Sequence, residues 1–449
     1  MLNYIWLGLM LCAVLLGGWN DHLKEIADAA LDMANTAVVK ISFTLIGVMA
    51  LWLGIMRLAE RAGLVALLAR ALRPLMRRIF PEVPPEHPAM GSMLMNIAAN
   101  MLGLGNAATP LGLRAMKDLE SLNPRPGTAT NAMCTFLAIN TSGIQLIPVT
   151  AIAILAANKS VNPTSIVGTS IICTACAAVS GVLMAKFLSK LPMFREQAEM
   201  GNLKPEIKIA EDRKAESEKL VVKEAATLQP MHWGGNFIFG AFLLCFAFFF
   251  LRMVFPETFG LPIPEADAKK NLFIRIVSAV SLLSIPFLLS AIPLFATVRR
   301  VKVYEEFVDG AKEGFDVAIR IIPYLVAMLV AVGMFRAAGG IDMLSHVLAP
   351  VFSKLGFPTD LLPMVLVRPL SGSGSLGFFT ELVKQFGADS LIARTAGTIY
   401  GSTETTFYVL AVYFGSVAIK RTRHALLAGL TADFVSVVVA VTVCKIMFG

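Results

Sequence analysis

The chain has 449 residues, 56% of them hydrophobic and only 16% charged, with a net charge of +8 and a mean hydropathy of +0.70. Soluble globular domains are about 45–50% apolar and about 25% charged, so these figures exclude an ordinary soluble domain. The basic excess collects at the ends of apolar runs and forms no aromatic-basic stripe, which excludes nucleic acid as a partner and points to the lipid bilayer.

Apolar runs recur near the roughly 20 residues that a helix needs to cross about 30 Å of hydrocarbon. Within lipid the backbone must bond to itself, leaving helices or a closed barrel. Barrel strands would alternate over segments of about 10 residues; these runs are continuous and rich in Leu, Ala, Ile and Met, so they predict helices. In chain order the spans are 2–18, 37–58, 128–156, 163–187, 234–253, 272–296, 317–337, 389–416 and 422–447. The first lacks a basic n-region and a small-residue cleavage site, and reads as a membrane helix, not a signal peptide. Two further stretches, 88–122 and 358–385, are apolar but broken by Gly, Pro, Asn and Ser. They are expected to be re-entrant hairpins.

Charge orients the set. Arg57, Arg61, Arg70, Arg73, Arg77 and Arg78 follow the second span. Lys190, Arg195, Lys204, Lys208, Arg213, Lys214, Lys219 and Lys223 follow the fourth; Arg299, Arg300 and Lys302 the sixth; Lys420, Arg421 and Arg423 the eighth. With nine spans and no crossing by either hairpin, all four clusters lie on the cytoplasmic side. Asp21, Glu25, Asp28 and Asp32 then lie outside, the N-terminus inside and the C-terminus outside.

The two halves repeat one another. Gly54–Ala59 (GIMRLA) answers Gly333–Ala338 (GMFRAA), Gly63-Leu64 answers Gly340-Ile341, Pro74 answers Pro350 and Phe80-Pro81 answers Phe357-Pro358. Each half then carries a Gly-interrupted hairpin, NIAANMLGLGNAATP or RPLSGSGSLG. Each continues into a helix with a polar interruption, Asn140-Thr141-Ser142-Gly143 or Gly401-Ser402-Thr403-Glu404, and the last helices pair Gly168 with Gly429. The seventh span comes an odd number of crossings, five, after the second, so the two run in opposite directions and the copies are expected to be inverted. The fold class is therefore an all-α polytopic membrane protein of about nine spans, with two inverted repeats, re-entrant hairpins and broken helices. Its units are a first repeat, 1–190, a charged cytoplasmic linker, 191–232, and a second repeat with one extra helix, 233–449. Inverted repeats with broken helices at matching positions are a secondary-transporter architecture.

The string NIAANMLGLGNAATPLGLRAMKDL resembles spore maturation protein A. The strings RPLSGSGSLGFFTELVKQFGADS and YGSTETTFYVLAVYFGSVAIKRTRHAL resemble spore maturation protein B. The chain looks like a fusion of the two, over nearly all its length outside the linker. That family is grouped with nucleoside-recognition, or Gate, domains, a group that includes regions of concentrative nucleoside transporters and of ferrous iron transport protein B. The resemblance implies a bacterial inner-membrane protein and leaves the substrate open.

A broken helix exposes N–H and C=O groups that need partners. The candidate solute-binding residues are those beside the breaks. Asn96, Asn100 and Asn106 flank the first; Asn140, Thr141, Ser142 and Gln145 form the second. Arg368, Ser371, Ser373 and Ser375 lie at the third, where glycines let a ligand approach backbone N–H groups. Ser402, Thr403, Glu404, Thr405 and Thr406 form the fourth. Asn donates and accepts together, which suits a neutral solute. Local capping, a plain turn or a snorkelling arginine are the structural alternatives. Glu404 and Asp433 are the candidate ion-coupling residues, Asp433 lying about 18 Å into its helix at 1.5 Å per residue. A lone carboxylate at that depth is costly, so each is expected to be protonated, paired or bound to a coupling ion, proton or sodium. Pairing of Glu404 with Arg368, and of Asp433 with a nearby Thr, are the structural alternatives.

Six scattered cysteines give no disulfide framework, and Cys173 and Cys176 read as part of a small-residue packing face. Five histidines (His22, His87, His232, His346, His424) show no ligand spacing. No HExxH, GxSxG or phosphate-binding loop occurs, so no catalytic residue, metal or cofactor is expected. The first expectation is a transporter of a small polar solute, nucleoside-like or anionic, working by elevator-type alternating access, with a homo-oligomer left open. A structural or assembly protein of the envelope is the rival, and an intramembrane enzyme the weaker one.

Overall fold

A computed structural model of the protein describes residues 2–103, 105–194, 233–260, 271–340, 343 and 357–449. Most of the linker, the partners Ile341 and Pro350 in the repeat, His232 and His346, and the side chain of Asn106 lie outside the described residues. Seventeen α-helices and no strand occur among those described. α1 (Leu2–Trp19) opens the chain. α2 (Leu23–Asn35) passes through a π-helical stretch, Thr36–Ser42, directly into α3 (Phe43–Arg61). The acidic stretch before the second span is therefore a helix, buried at Ile26 and exposed at Leu23 and Leu31. α4 (Leu64–Ile79) is likewise amphipathic: Val65, Ala69 and Met76 are buried, while Arg70, Arg73, Arg77 and Arg78 are exposed.

The predicted breaks fall where expected. α5 (Pro88–Met101) and α6 (Gly105–Glu120) form the first hairpin, turned by Gly103 at φ +75° and clamped by Ser92 Oγ donating to Asp118 Oδ2 at 2.6 Å. α7 (Asn131–Thr141) and α8 (Val149–Ala157) are the two pieces of one interrupted helix, and α9 (Ile166–Leu188) follows. α10 (Trp233–Val254) and α11 (Leu272–Val298) begin the second half. α12 (Val303–Ala337) starts 14 residues earlier than the expected 317. Its charged first turns read as loop in sequence, but Glu306 and Glu313 are held by Arg57 and Glu306 also by Arg61. α13 (Leu362–Val367) and α14 (Gly372–Phe386) form the second hairpin, α15 (Leu391–Ser402) and α16 (Thr406–Gly415) the second interrupted helix, and α17 (Ala425–Phe448) ends the chain.

Four helical segments among the described residues are long and apolar enough to cross a membrane: Pro163–Leu188, Gly234–Val254, Leu272–Val298 and Ala425–Phe448. The interrupted helices fall short because each break leaves pieces of 9 to 12 residues. Only 6% of the Gly234–Val254 span is buried, against 50% of Pro163–Leu188 and of Ala425–Phe448. α10 is thus a peripheral helix showing Phe237, Ile238 and Leu244 outward, as a lipid-facing helix does, whereas α9 and α17 are central. The chain is a multi-pass membrane protein.

Packing couples the two halves of the chain. α3 packs on α12 and α9 on α17, the two most extensive contacts between the halves. The interrupted helices cross: α7 meets α16, and α8 meets α15. At one end Lys186 Nζ donates to Arg78 O, Arg423 to the carbonyls of Ala129 and Phe194, and Lys420 N to Gly127 O. These contacts gather Arg78, Lys186, Lys420 and Arg423 at one end of the molecule. At another edge Asp389 accepts from Ser160 Oγ at 2.7 Å and Val161 N at 2.8 Å.

Candidate functional site

Where the interrupted helices cross, backbone bonds to backbone. Glu404 N donates to Thr141 O at 2.8 Å, so the α15–α16 break satisfies a carbonyl freed by the α7–α8 break. The approach depends on Gly143, at φ +51°, where a Cβ would lie 3.0 Å from the Thr403 carbonyl carbon. Thr174 Oγ1 on α9 takes two more freed carbonyls, Ser142 O at 2.8 Å and Gly143 O at 3.0 Å. Gln145 Nε2 donates to Glu404 Oε1 at 3.2 Å.

The hairpins flank this crossing on either side. On the first, Asn100 Nδ2 donates to Asn140 Oδ1 at 3.1 Å and Leu146 N to Met101 O at 3.0 Å. Asn96, one turn earlier on the same face, donates to Ala108 O at 2.8 Å. Tyr413 Oη donates to Asn140 Oδ1 at 3.2 Å and lies 3.4 Å from Asn96 Nδ2. On the second, Phe407 N donates to Pro369 O at 3.0 Å, and a Cβ on Gly372 would lie 3.0 Å from Thr405 Oγ1. Arg368 is 5% exposed; it donates to the carbonyls of Tyr400 and Thr403 and stacks 4.5 Å over the Tyr400 ring. It is a buried clamp on the end of α15, not a snorkelling arginine.

Ser371 caps α14, accepting from Gly374 N at 2.9 Å, and Ser375 Oγ donates to Gly372 O. Two of the three candidate solute-binding serines at this break therefore serve their own helix; Ser373 Oγ lies 3.4 Å from Ser371 Oγ. Ser402 Oγ pairs with Ser436 Oγ at 2.7 Å, and Thr406 Oγ1 donates to Asp433 Oδ2 at 2.5 Å. Ser142 Oγ is turned back on Ile139 O, and Thr403 Oγ1 lies 3.4 Å from Ile399 O. Asn106 belongs to the first turn of α6. The four breaks are thus linked in the order first hairpin, α7–α8, α15–α16, second hairpin.

Sequence reasoning missed Tyr413, Thr174, Tyr400 and Ser436. Tyr413 stands in an apolar run, where a tyrosine reads as an interface anchor. Thr174 was legible only as a polar residue within a small-residue face. Three buried polar atoms at this centre have no hydrogen-bond partner among the described residues: Asn96 Oδ1, Arg368 Nε and Asp433 Oδ1. Acceptors and a donor together can hold a polar solute.

Comparisons with known proteins agree with this architecture. A family model described as nucleoside recognition matches residues 42–158 and 318–420, which contain the two interrupted helices. Spore maturation protein B of Bacillus subtilis is 45% identical over 175 residues, 39% of this chain and 98% of that protein. Spore maturation protein A of the same organism is 42% identical over 187 residues, 42% of this chain and 95% of that protein. An inner membrane protein of Escherichia coli, YjiG, is 27% identical over 118 residues, 26% of this chain and 69% of that protein. No solved structure matches the chain significantly. With nearly the whole of each spore maturation protein matched, the chain belongs to the nucleoside-recognition (Gate) family and combines counterparts of spore maturation proteins A and B in one polypeptide.

Proposed function

We propose that this protein is a secondary transporter that binds a small polar solute, nucleoside-like or anionic, where its four helix breaks converge. The observation that carries the reading is the crossing itself, with Glu404 N on Thr141 O and a buried arginine, Arg368, beside it. Discontinuous helices meeting at mid-membrane are how secondary transporters build solute sites, and intramembrane charge marks function by default. The solute would exchange contacts with Asn96, Asn100, Asn140, Gln145, Arg368 and Glu404. The repeats 1–190 and 233–449 would be inverted copies around the linker 191–232, with nine spans and both hairpins re-entrant. The pairing of α3 with α12 and α9 with α17 supports that symmetry. The end that gathers Arg78, Lys186 and Arg423 would face the cytoplasm of a bacterial cell, with the N-terminus inside and the C-terminus outside. Alternating access would move the hairpins and interrupted helices against α1, α3, α11 and α12, as an elevator.

The test is a thermal-stabilisation screen of purified protein against nucleosides, amino acids and organic acids, followed by uptake of each hit into proteoliposomes. Asn140→Ala should weaken binding of the hit about 10-fold or more, the value of one or two hydrogen bonds, and slow its uptake. No stabilising solute, or a hit bound equally by the variant, would rule the site out. A second reading, an envelope assembly protein, is favoured by how many groups at the breaks bond one another, Gln145 with Glu404 and Asn100 with Asn140; binding without uptake would select it.

A further inference from the structure

We propose that Asp433, with the hydroxyls of Thr406, Ser402 and Ser436, binds a dehydrated monovalent cation of sodium size beside the α15–α16 break. Asp433 is 6% exposed. Its Oδ2 accepts from Thr406 Oγ1 at 2.5 Å, and its Oδ1 has no hydrogen-bond partner among the described residues. An ionised carboxylate so buried needs a second partner.

The donors around it are hard oxygens. Ser436 lies three residues further along α17, on the same face, and pairs with Ser402 at 2.7 Å. Gly429, one turn before Asp433, lets this face press on the breaks: a Cβ there would be 3.0 Å from Thr406 Cγ2 and 3.3 Å from Thr141 Oγ1. One carboxylate and several hydroxyls fit a monovalent ion. A calcium ion takes 6–8 oxygens, several of them carboxylates, and no three His, Cys, Asp or Glu side chains cluster as metal ligands among the described residues.

Charge balance points the same way. Among the described residues, Arg368 and Glu404 are charged groups that act on Asp433, and Arg368 also acts on Glu404. The guanidinium donates to two backbone carbonyls, Tyr400 O and Thr403 O. One positive charge therefore serves two carboxylates. A bound cation makes the cluster neutral, and in a low-dielectric interior an uncompensated charge is strongly disfavoured. Cation binding does not rest on the solute-transport reading, because it is measured without any solute.

The experiment is thermal unfolding of the full-length purified protein at constant ionic strength, with choline replaced by sodium or potassium, repeated across pH. Sodium should raise the midpoint saturably by about 5 °C or more by mass action on the folded state, and choline should not. Asp433→Asn should abolish the sodium shift, and Ser436→Ala, a milder change, should weaken apparent sodium affinity about 10-fold. If Asp433→Asn does not fold, Ser436→Ala decides. No cation-specific shift in the wild-type protein would overturn the proposal. So would a midpoint that follows pH alone, which assigns the site to a proton, or sodium shifts equal in wild type and Ser436→Ala.

Discussion

His424, just before α17, illustrates what a single residue does here and what its sequence context hides. It is fully buried, edge-on to the Phe194 ring at 5.7 Å, and neither ring nitrogen has a hydrogen-bond partner among the described residues. Burial first, and then the neighbouring Arg423 charge, push its pKa down to about 4. An unfolded histidine titrates near 6.5. Between those values the unfolded chain binds a proton that the folded chain does not, so stability is full above about pH 6.5 and declines as pH falls toward 4. The loss is at most about 3 kcal/mol at 1.36 kcal/mol per pKa unit. His424→Phe should flatten that part of a stability–pH profile measured by thermal denaturation; an unchanged slope would mean another group carries it. In sequence His424 reads as one more loop or amphipathic histidine, because its cover comes from residue 194, some 230 positions away, and periodicity sees only neighbours.

At the scale of helices, glycines decide which surfaces can meet. On α12 a Cβ at Gly310 would lie 2.5 Å from Leu53 O, and one at Gly314 2.6 Å from Met49 O. On α3 a Cβ at Gly54 would lie 2.9 Å from Phe307 O. This is small-xxx-small packing, backbone against backbone, where helix association depends on close contact because lipid is as apolar as the side chains. Gly310→Leu should therefore separate α3 from α12 and cost about 3 kcal/mol or more, the upper range of overpacking. A Cβ at Gly240 on the lipid-facing α10 would meet nothing within 4 Å, so Gly240→Leu should stay within about 0.5 kcal/mol of wild type. Thermal denaturation in detergent compares the two; equal effects would refute the close-packed interface. The element boundaries show where sequence reasoning works in this protein. The four breaks were legible because Gly, Pro, Asn and Ser interrupt runs that lipid otherwise keeps apolar. The early start of α12 was not, because Glu305, Glu306 and Glu313 look like loop until Arg57 and Arg61 of α3 are placed beside Glu306.

For the whole molecule, the question is whether either half can stand without the other. The most extensive contacts between the halves are α3 on α12 and α9 on α17, and each interrupted helix lends the other a backbone partner at the crossing. A half on its own would expose the Gly54 face of α3, the Gly181 face of α9, whose Cβ would sit 3.2 Å from Ala432 Cβ, and the freed Thr141 carbonyl. Unpaired backbone groups in hydrocarbon each cost several kcal/mol, more than the roughly 5–15 kcal/mol net stability of a typical fold can absorb in number. The relatives supply the comparison: two separate proteins, each about 40% of this chain and matched over nearly all their length. A chain divided within 195–232 should therefore behave as such a pair. Expressed together, residues 1–194 and 233–449 should co-purify through a tag on either piece and unfold in one transition. Expressed singly, each should be degraded or aggregate. Gly310→Leu in the second piece should weaken the co-purification, tying the association to the α3–α12 surface and not to general stickiness. Two pieces that fold and persist independently would show that the crossing is a contact between finished domains and not part of a shared core.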